Sequence, residues 1–299
     1  MTIEDALRQA LAEAPRGRVS FPRDLQGFPG VVHGGAVAAL FHRVTTPRPP
    51  VQLRVDLARG VPTDTPLRLT TGSTGPLARV ALAHDDRHLA EATLSRQSVP
   101  ALDPGPTVKA WKMERTAAGE LPGTATCLAC GSANPLGLGI HFLFDDRFLW
   151  REYTPPERYR AADGSLHAAL ATIALDELGW WLGALAQGEC GVTTEVTVTV
   201  FRRLPFGPVL VLGDRTGVRT DDDPRGRYAR ASGLLLLAAD ETLLAAADVR
   251  FAGSRAYTRR LVPAFLETTD PETLVRLFPS ARDLASGERP RPIRPPADS

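Results

Sequence analysis

The sequence predicts an α+β chain in which one helix-and-sheet unit is used twice. Three observations carry this reading. Residues 28–44 read FPGVVHGGAVAALFHRV and residues 162–178 read ADGSLHAALATIALDEL. In each, a turn rich in Gly or Pro leads to a His, two small residues and a run of Ala and Leu. Each helix start is followed by strand-like segments in similar order. The helices are apolar nearly all round and need wrapping, which a curved antiparallel sheet folded around its own helix supplies.

The elements follow in chain order. MTIEDALRQALAEAPRG at the N-terminus reads as a short amphipathic helix. Arg18–Pro22 is a candidate first strand, and a loop with Gly27, Pro29 and Gly30 delivers the chain to His33. Helix is expected from Gly34 to Arg43, ending before Pro47, Pro49 and Pro50. Strands are expected at Val51–Leu57, Leu67–Thr71, Ala78–Ala83 and Leu89–Gln97. In the second copy, strands at Ile140–Phe144 and Phe148–Tyr153 precede a helix from Ser165 to Gln187. Strands at Thr193–Arg202, Val209–Arg219, Arg227–Ala238 and Leu243–Phe251 follow. Pro271–Leu284 reads as a short helical segment, and Gly287–Ser299, rich in Pro and Arg, as disordered. The domain reading is 1–105, a linker over 106–123, 124–270, and a C-terminal segment over 271–299. The two sheets can then pair edge to edge.

Composition narrows the function classes. The 299 residues carry 35 Lys and Arg against 34 Asp and Glu, a net charge of +1, which gives no general pull toward nucleic acid or acidic membranes. The longest apolar runs, around Leu175–Leu185 and Leu234–Ala247, are broken by Asp176, Glu177, Asp240 and Glu241, so no stretch is expected to reach membrane-spanning length. The N-terminus has acids where a signal peptide would be basic. Three cysteines argue against a disulfide framework, and a cytoplasmic location is the default expectation.

The segment F-P-G-V-V-H-G-G-A-V-A-A-L at 28–40 resembles the helix start of PaaI-like thioesterases. The segment C-x-x-C-G-x-x-N-P-x-G-L-x-x-x-F from Cys127 to Phe142 resembles the lead-in of the same group. Over residues 18–100 and 124–253 the chain is similar to the hotdog-fold acyl-CoA thioesterase superfamily. The resemblance implies two tandem hotdog domains, one chain imitating the family's usual dimer.

Gly34 and Gly35 open a helix, where unpaired backbone N–H groups and the helix dipole would suit an oxyanion hole. The same small residues also serve close helix packing. Asp176 lies nine residues after His167, nearly opposite on the helix and roughly 13 Å along its axis. The acid and the helix start of one copy therefore cannot serve the same carbonyl, but each can meet its counterpart in the other copy. The resemblance implies that an acid at this position acts as general base or nucleophile. The first copy has His33-Gly34-Gly35 but His42 in place of the acid; the second has His167-Ala168-Ala169 but keeps Asp176. One composite site would join Gly34 and Gly35 to Asp176; the other, joining Ala168–Ala169 to His42, is expected to be inactive.

Other residues are assigned around that pair. Glu177, about 100° round the helix from Asp176, is a supporting group. The resemblance implies a Ser or Thr on the following strand that places water. Thr193 and Thr194 face opposite sides, and Thr193 fits the spacing better. His33 touches substrate or fixes its loop. Arg202 and Arg203 would bind coenzyme A phosphates, or are solvated strand ends. Trp180 and Trp181 line an acyl pocket or fill core. Cys127-x-x-Cys130 invites a zinc reading, but no further ligands stand at ligand-like spacing, so no metal or other cofactor is expected.

The function expected is hydrolysis of an acyl-CoA or related acyl thioester at one composite site, with no nucleic-acid or membrane partner. The alternative is an acyl-CoA-binding hotdog protein without turnover. Hotdog hydratases carry an element near D-x-N-P-x-H; Asn134-Pro135 is preceded by Ser132 and followed by Gly137, which ranks that reading low. A double hotdog also leaves surfaces suited to further assembly of chains.

Overall fold

A computed structural model describes residues 1–74, 77–95, 99, 101–221 and 226–285. The segment Gly287–Ser299, expected to be disordered, and the end of the expected strand Leu89–Gln97 lie outside the described residues.

In the first half, α1 (Ile3–Ala10) starts at a capping box between Thr2 and Asp5 and buries Ile3, Ala6, Leu7 and Ala10. It is followed by β1 (Arg18–Val19), α2 (Gly34–Thr45), β2 (Val51–Leu57), β3 (Leu67–Thr74), β4 (Leu77–His84) and β5 (Arg87–Ser95). α3 (Gly105–Glu114) and β6 (Gly119–Glu120) connect the halves. The second half comprises β7 (Leu143–Phe144), β8 (Phe148–Tyr153), α4 (Ala169–Gln187), β9 (Gly191–Val200) and β10 (Val209–Asp214). It continues with β11 (Arg219–Thr220), β12 (Tyr228–Leu237), β13 (Leu243–Gly253), α5 (Arg255–Phe265), α6 (Pro271–Leu277) and α7 (Arg282–Ala285).

All strands join one antiparallel sheet in the order β1-β3-β4-β5-β2-β9-β13-β12-β10-β8-β7-β6, with β11 on β12. The halves meet edge to edge at β2 and β9, where Val51, Leu53 and Val55 lie opposite Val200, Val198 and Val196. All six are buried, while Arg54 beside them reaches Glu195 at 2.7 Å. A slip of one residue would turn both apolar rows outward, so the pattern fixes the register. α2 and α4 pack against each other inside the curve of the sheet. α4 is buried continuously from Ala169 to Ala184 and ends at Gly188, whose φ of +63° closes the helix with an N–H bond to the Ala184 carbonyl.

Several expectations are corrected. α4 does have the length and mean hydropathy of a membrane span, and 89% of that window is buried inside the protein. The stretch 106–123 connects the halves, and its first nine residues lie in α3. Its Val108 and Trp111, three residues apart, pack on Phe148, Trp150, Leu210 and Leu212, covering the face of the sheet opposite α4. β10 is therefore buried on both faces. The expected strand at Ile140 begins only at Leu143, because the Ile140 N–H bonds the Ala129 carbonyl. The expected strand Val209–Arg219 breaks at Asp214, whose side chain accepts from the Thr216 N–H and turns the chain. α5, capped by Ser254, was not expected at all.

Candidate active site

The loop before α2 is pinned by backbone bonds from Val32 N–H to the Val61 carbonyl and from His33 N–H to the Leu25 carbonyl. His33 caps the helix, its Nδ1 accepting from the Gly35 N–H at 3.1 Å. This end of α2 crosses α4 so closely that a Cβ on Gly35 would stand 2.5 Å from Ile173 Cα and from the Thr172 carbonyl oxygen. The Thr172 hydroxyl donates to the Gly35 carbonyl at 2.8 Å across the same crossing. Glycine is thus demanded here by packing.

The crossing brings Asp176 to the other helix start. Asp176 Oδ2 accepts from the Gly35 N–H at 2.7 Å, and Oδ1 accepts from the Thr193 hydroxyl at 2.8 Å. His33 Nδ1 lies 3.2 Å from Asp176 Oδ2, and His33 Nε2 lies 3.2 Å from Glu177 Oε2. Burial raises the Asp176 carboxyl above its ordinary range, while His33, Thr193 and the Gly35 amide each favour the anion. Burial also opposes charge on His33, yet Cys127, Glu177 and Asp176 around the ring outweigh it and hold its pKa well above the usual value. The Gly34 N–H donates to no protein acceptor among the described residues.

These groups form one wall of a cavity of 690 Å³. Its apolar lining includes Phe28, Val37, Leu57, Trp180, Leu261 and Phe265, and Arg59, Arg227 and Arg260 also border it. Trp180 lines the cavity while its Nε1 donates to the Gly191 carbonyl at 2.9 Å; Trp181 is core, stacked on Phe278. Thr193 reaches Asp176, whereas the Thr194 hydroxyl turns to the Arg250 carbonyl at 3.1 Å.

Six of the eight residues singled out in the sequence, Gly34, Gly35, Asp176, Thr193, His33 and Glu177, meet in this cluster. Arg202 and Arg203 do not. They follow the far end of β9, roughly 30 Å from Thr193 along the strand, and Arg203 pairs with Asp163 at 2.6 Å. The cations that border the cavity come from the loop after β2, from the start of β12 and from α5. Cys127 and Cys130, read as a knuckle, also line it. The neighbouring Cys130 thiol lowers the Cys127 pKa to about 6, against the opposing effect of burial. Ligand atoms of Cys127, His33 and Glu177 all lie within 4.8 Å of one another, close enough to share a metal ion.

No protein-family model and no curated protein matches the sequence. Solved structures do match. A tesB protein of Mycobacterium avium subs paratuberculosis is 15% identical, with a TM-score of 0.54 over 84% of this chain and 98% of that one. A pyran synthase domain from module nine of the sorangicin pathway is 12% identical, with a TM-score of 0.56 over 80% and 94%. The dehydratase domain of PpsC from Mycobacterium tuberculosis, in complex with C12:1-CoA, is 17% identical, with a TM-score of 0.51 over 75% and 85%. The chain has the hotdog fold that these structures share. The hotdog neighbours carry different chemistries on one architecture, so activity must be argued from side chains.

The other helix start of this hotdog chain is built differently. His167 Nδ1 accepts from the Ala169 N–H at 3.1 Å, repeating the His33 cap. Nine residues into α2 stands His42, whose Nε2 is buried without a hydrogen-bond partner. Burial, with the nearby His167, lowers its pKa to about 4. Glu4 of α1 reaches both His167 and Arg43 at 3.1 Å.

Proposed function

We propose that this protein hydrolyses acyl thioesters, with acyl-CoA as substrate, at one composite site between two tandem hotdog units spanning 1–105 and 124–270. The observation that carries the proposal is Asp176. It is a buried carboxylate in an apolar helix, held by Thr193 and by a helix-start amide of the other half, on the wall of a largely apolar cavity. Burying such a group is costly without a task.

The acyl chain would lie among Phe28, Leu57, Trp180 and Phe265. The Gly35 N–H is engaged by Asp176, so its part is to orient the acid. The Gly34 N–H is the donor left for the thioester carbonyl. Both Asp176 oxygens already accept hydrogen bonds, which favours general-base over nucleophilic action. Asp176 takes a proton from water as the water oxygen attacks the carbonyl carbon. The C–S bond then breaks and the thiolate takes up the proton, giving free acid and free thiol. Arg59 and Arg260 would meet the phosphates of coenzyme A in place of Arg202 and Arg203. The bound acyl-CoA of the PpsC domain supports this ligand class.

The test is free-thiol release from short, long and aromatic acyl-CoAs by wild type and Asp176→Asn. Turnover lost in a folded variant supports the proposal. Tight acyl-CoA binding with no turnover by wild type would replace it with a binding protein.

A further inference from the structure

We propose that Cys127, Cys130, His33 and Glu177 form a tetrahedral zinc site behind Asp176. The inference goes beyond thioester hydrolysis and does not depend on it. All four side chains are buried, with residue exposures of 5%, 4%, 6% and 8%. Cys127 Sγ, a His33 ring nitrogen and a Glu177 oxygen already lie within 4.8 Å of one another, and His33 Nε2 is 3.2 Å from Glu177 Oε2. Zinc bonds of about 2.0–2.3 Å place tetrahedral ligand atoms roughly 3.3–3.8 Å apart, so small side-chain adjustments close the shell. Cys130, three residues after Cys127 and also lining the cavity, is the fourth donor; its thiol stands outside the three-atom cluster and must turn inward to complete the shell.

Three further features fit a metal. The Ala129 N–H points at Cys127 Sγ at 3.3 Å, a donor that favours the deprotonated, metal-binding sulfur. The C-x-x-C segment is a closed turn: the Gly131 N–H donates to the Cys127 carbonyl at 2.9 Å, and a Cβ on Gly131 would stand 2.3 Å from that oxygen. With the metal on Nε2, His33 Nδ1, 3.2 Å from Asp176 Oδ2, would carry the proton and donate to that carboxylate instead of accepting from the Gly35 N–H, the carboxylate–histidine arrangement that orients metal-bound imidazoles. Electrostatics points the same way. Two carboxyls and two thiols surround one imidazole away from water, and a divalent cation balances them.

Four protein donors leave no open position, so the ion would be structural. It would clamp the Cys127–Gly131 turn and α4 to the His33-Gly34-Gly35 turn. The sequence hid the set because two of its ligands stand 94 residues before and 50 residues after Cys127.

The test uses the full chain, prepared reduced, loaded with Zn²⁺ or Co²⁺ and freed of excess. One zinc per chain is expected by elemental analysis. The cobalt form should show thiolate-to-metal charge transfer and the intense visible bands of a tetrahedral ion. Cys127→Ser and Cys130→Ser should each weaken metal binding roughly tenfold or more, while Cys190→Ser keeps one ion. The wild-type cobalt spectrum decides even if a variant fails to fold. Trace metal with titratable free thiols, a Cys127–Cys130 disulfide, or undiminished metal in both serine variants would each overturn the site. None of these readouts involves thioester turnover, so the two proposals fail separately.

Discussion

Glu4 Oε2 lies 3.1 Å from His167 Nε2, matching the 3.2 Å between Glu177 Oε2 and His33 Nε2. Glu177 stands ten residues after His167 on α4. The residue ten after His33 on α2 is Arg43, which cannot accept from a histidine. α1 supplies the missing carboxylate, and Arg43 pairs with it. The N-terminal helix thus completes the second helix start. Glu4→Gln should lower stability by about 1 kcal/mol, a modest value because the pair is partly solvated. Urea unfolding checks this, and thioester turnover should stay within about twofold of wild type, as expected for a change outside the site.

Asp176→Asn keeps the shape of the side chain and its bond from Thr193, but removes the proposed base. Hydrolysis should fall about 10²- to 10⁴-fold with acyl-CoA affinity little changed. Steady-state kinetics beside a direct binding measurement separates the two effects.

Gly34 and Gly35 should respond differently to alanine. At Gly35 the new Cβ meets backbone of α4 at 2.5 Å, and neither helix can give way, so a loss of about 3 kcal/mol or more is expected. At Gly34 the nearest atom is Asp176 Oδ2 at 2.7 Å, a side chain that can rotate. Gly34→Ala should therefore fold but lose most of its turnover. Thermal melts and kinetics on both variants test the contrast.

His42 predicts a pH effect on stability. Its pKa is about 4 in the fold against 6.5 when free, so the unfolded chain binds more protons between those values. Stability should fall as pH drops from about 6.5 to 4, by about 3 kcal/mol in all, with no further contribution below that window. His167, also lowered chiefly by burial, adds to the same slope, opposed by Glu4. Urea unfolding of His42→Phe at several pH values should show a shallower dependence. An unchanged slope would count against it.

Arg59→Ala and Arg260→Ala should raise KM for acyl-CoA several-fold while leaving kcat and the turnover of short-thiol esters unchanged, since a phosphate contact is remote from the carbonyl. Arg203→Ala should change neither, because Arg203 is paired with Asp163.

Much of this was legible in the sequence because it is local. Matching starts followed by unbroken apolar runs marked α2 and α4, alternation marked Val51–Leu57 to the residue, and the nine-residue offset from His167 to Asp176 fixed which groups could not meet within one copy. α3 and α5 were not read from the sequence; α3 packs on the back of the β8–β10 sheet and α5 borders the cavity. Arg202 and Arg203 lie beyond the opposite end of β9 from Thr193, and where the cavity opens relative to that strand is set only by folding.

The sequence by itself determined the two similar helix starts, which of them carries two glycines and which an acid nine residues on, and the apolar helix that holds Asp176. Periodicity and spacing along one chain encode these. Only the tertiary structure decided that Asp176 takes the Gly35 amide, that Cys127 meets His33 and Glu177, and that α1 reaches His167. Such meetings join residues far apart in the chain, and they depend on how closely two helices cross, which Gly35 sets by the absence of a side chain.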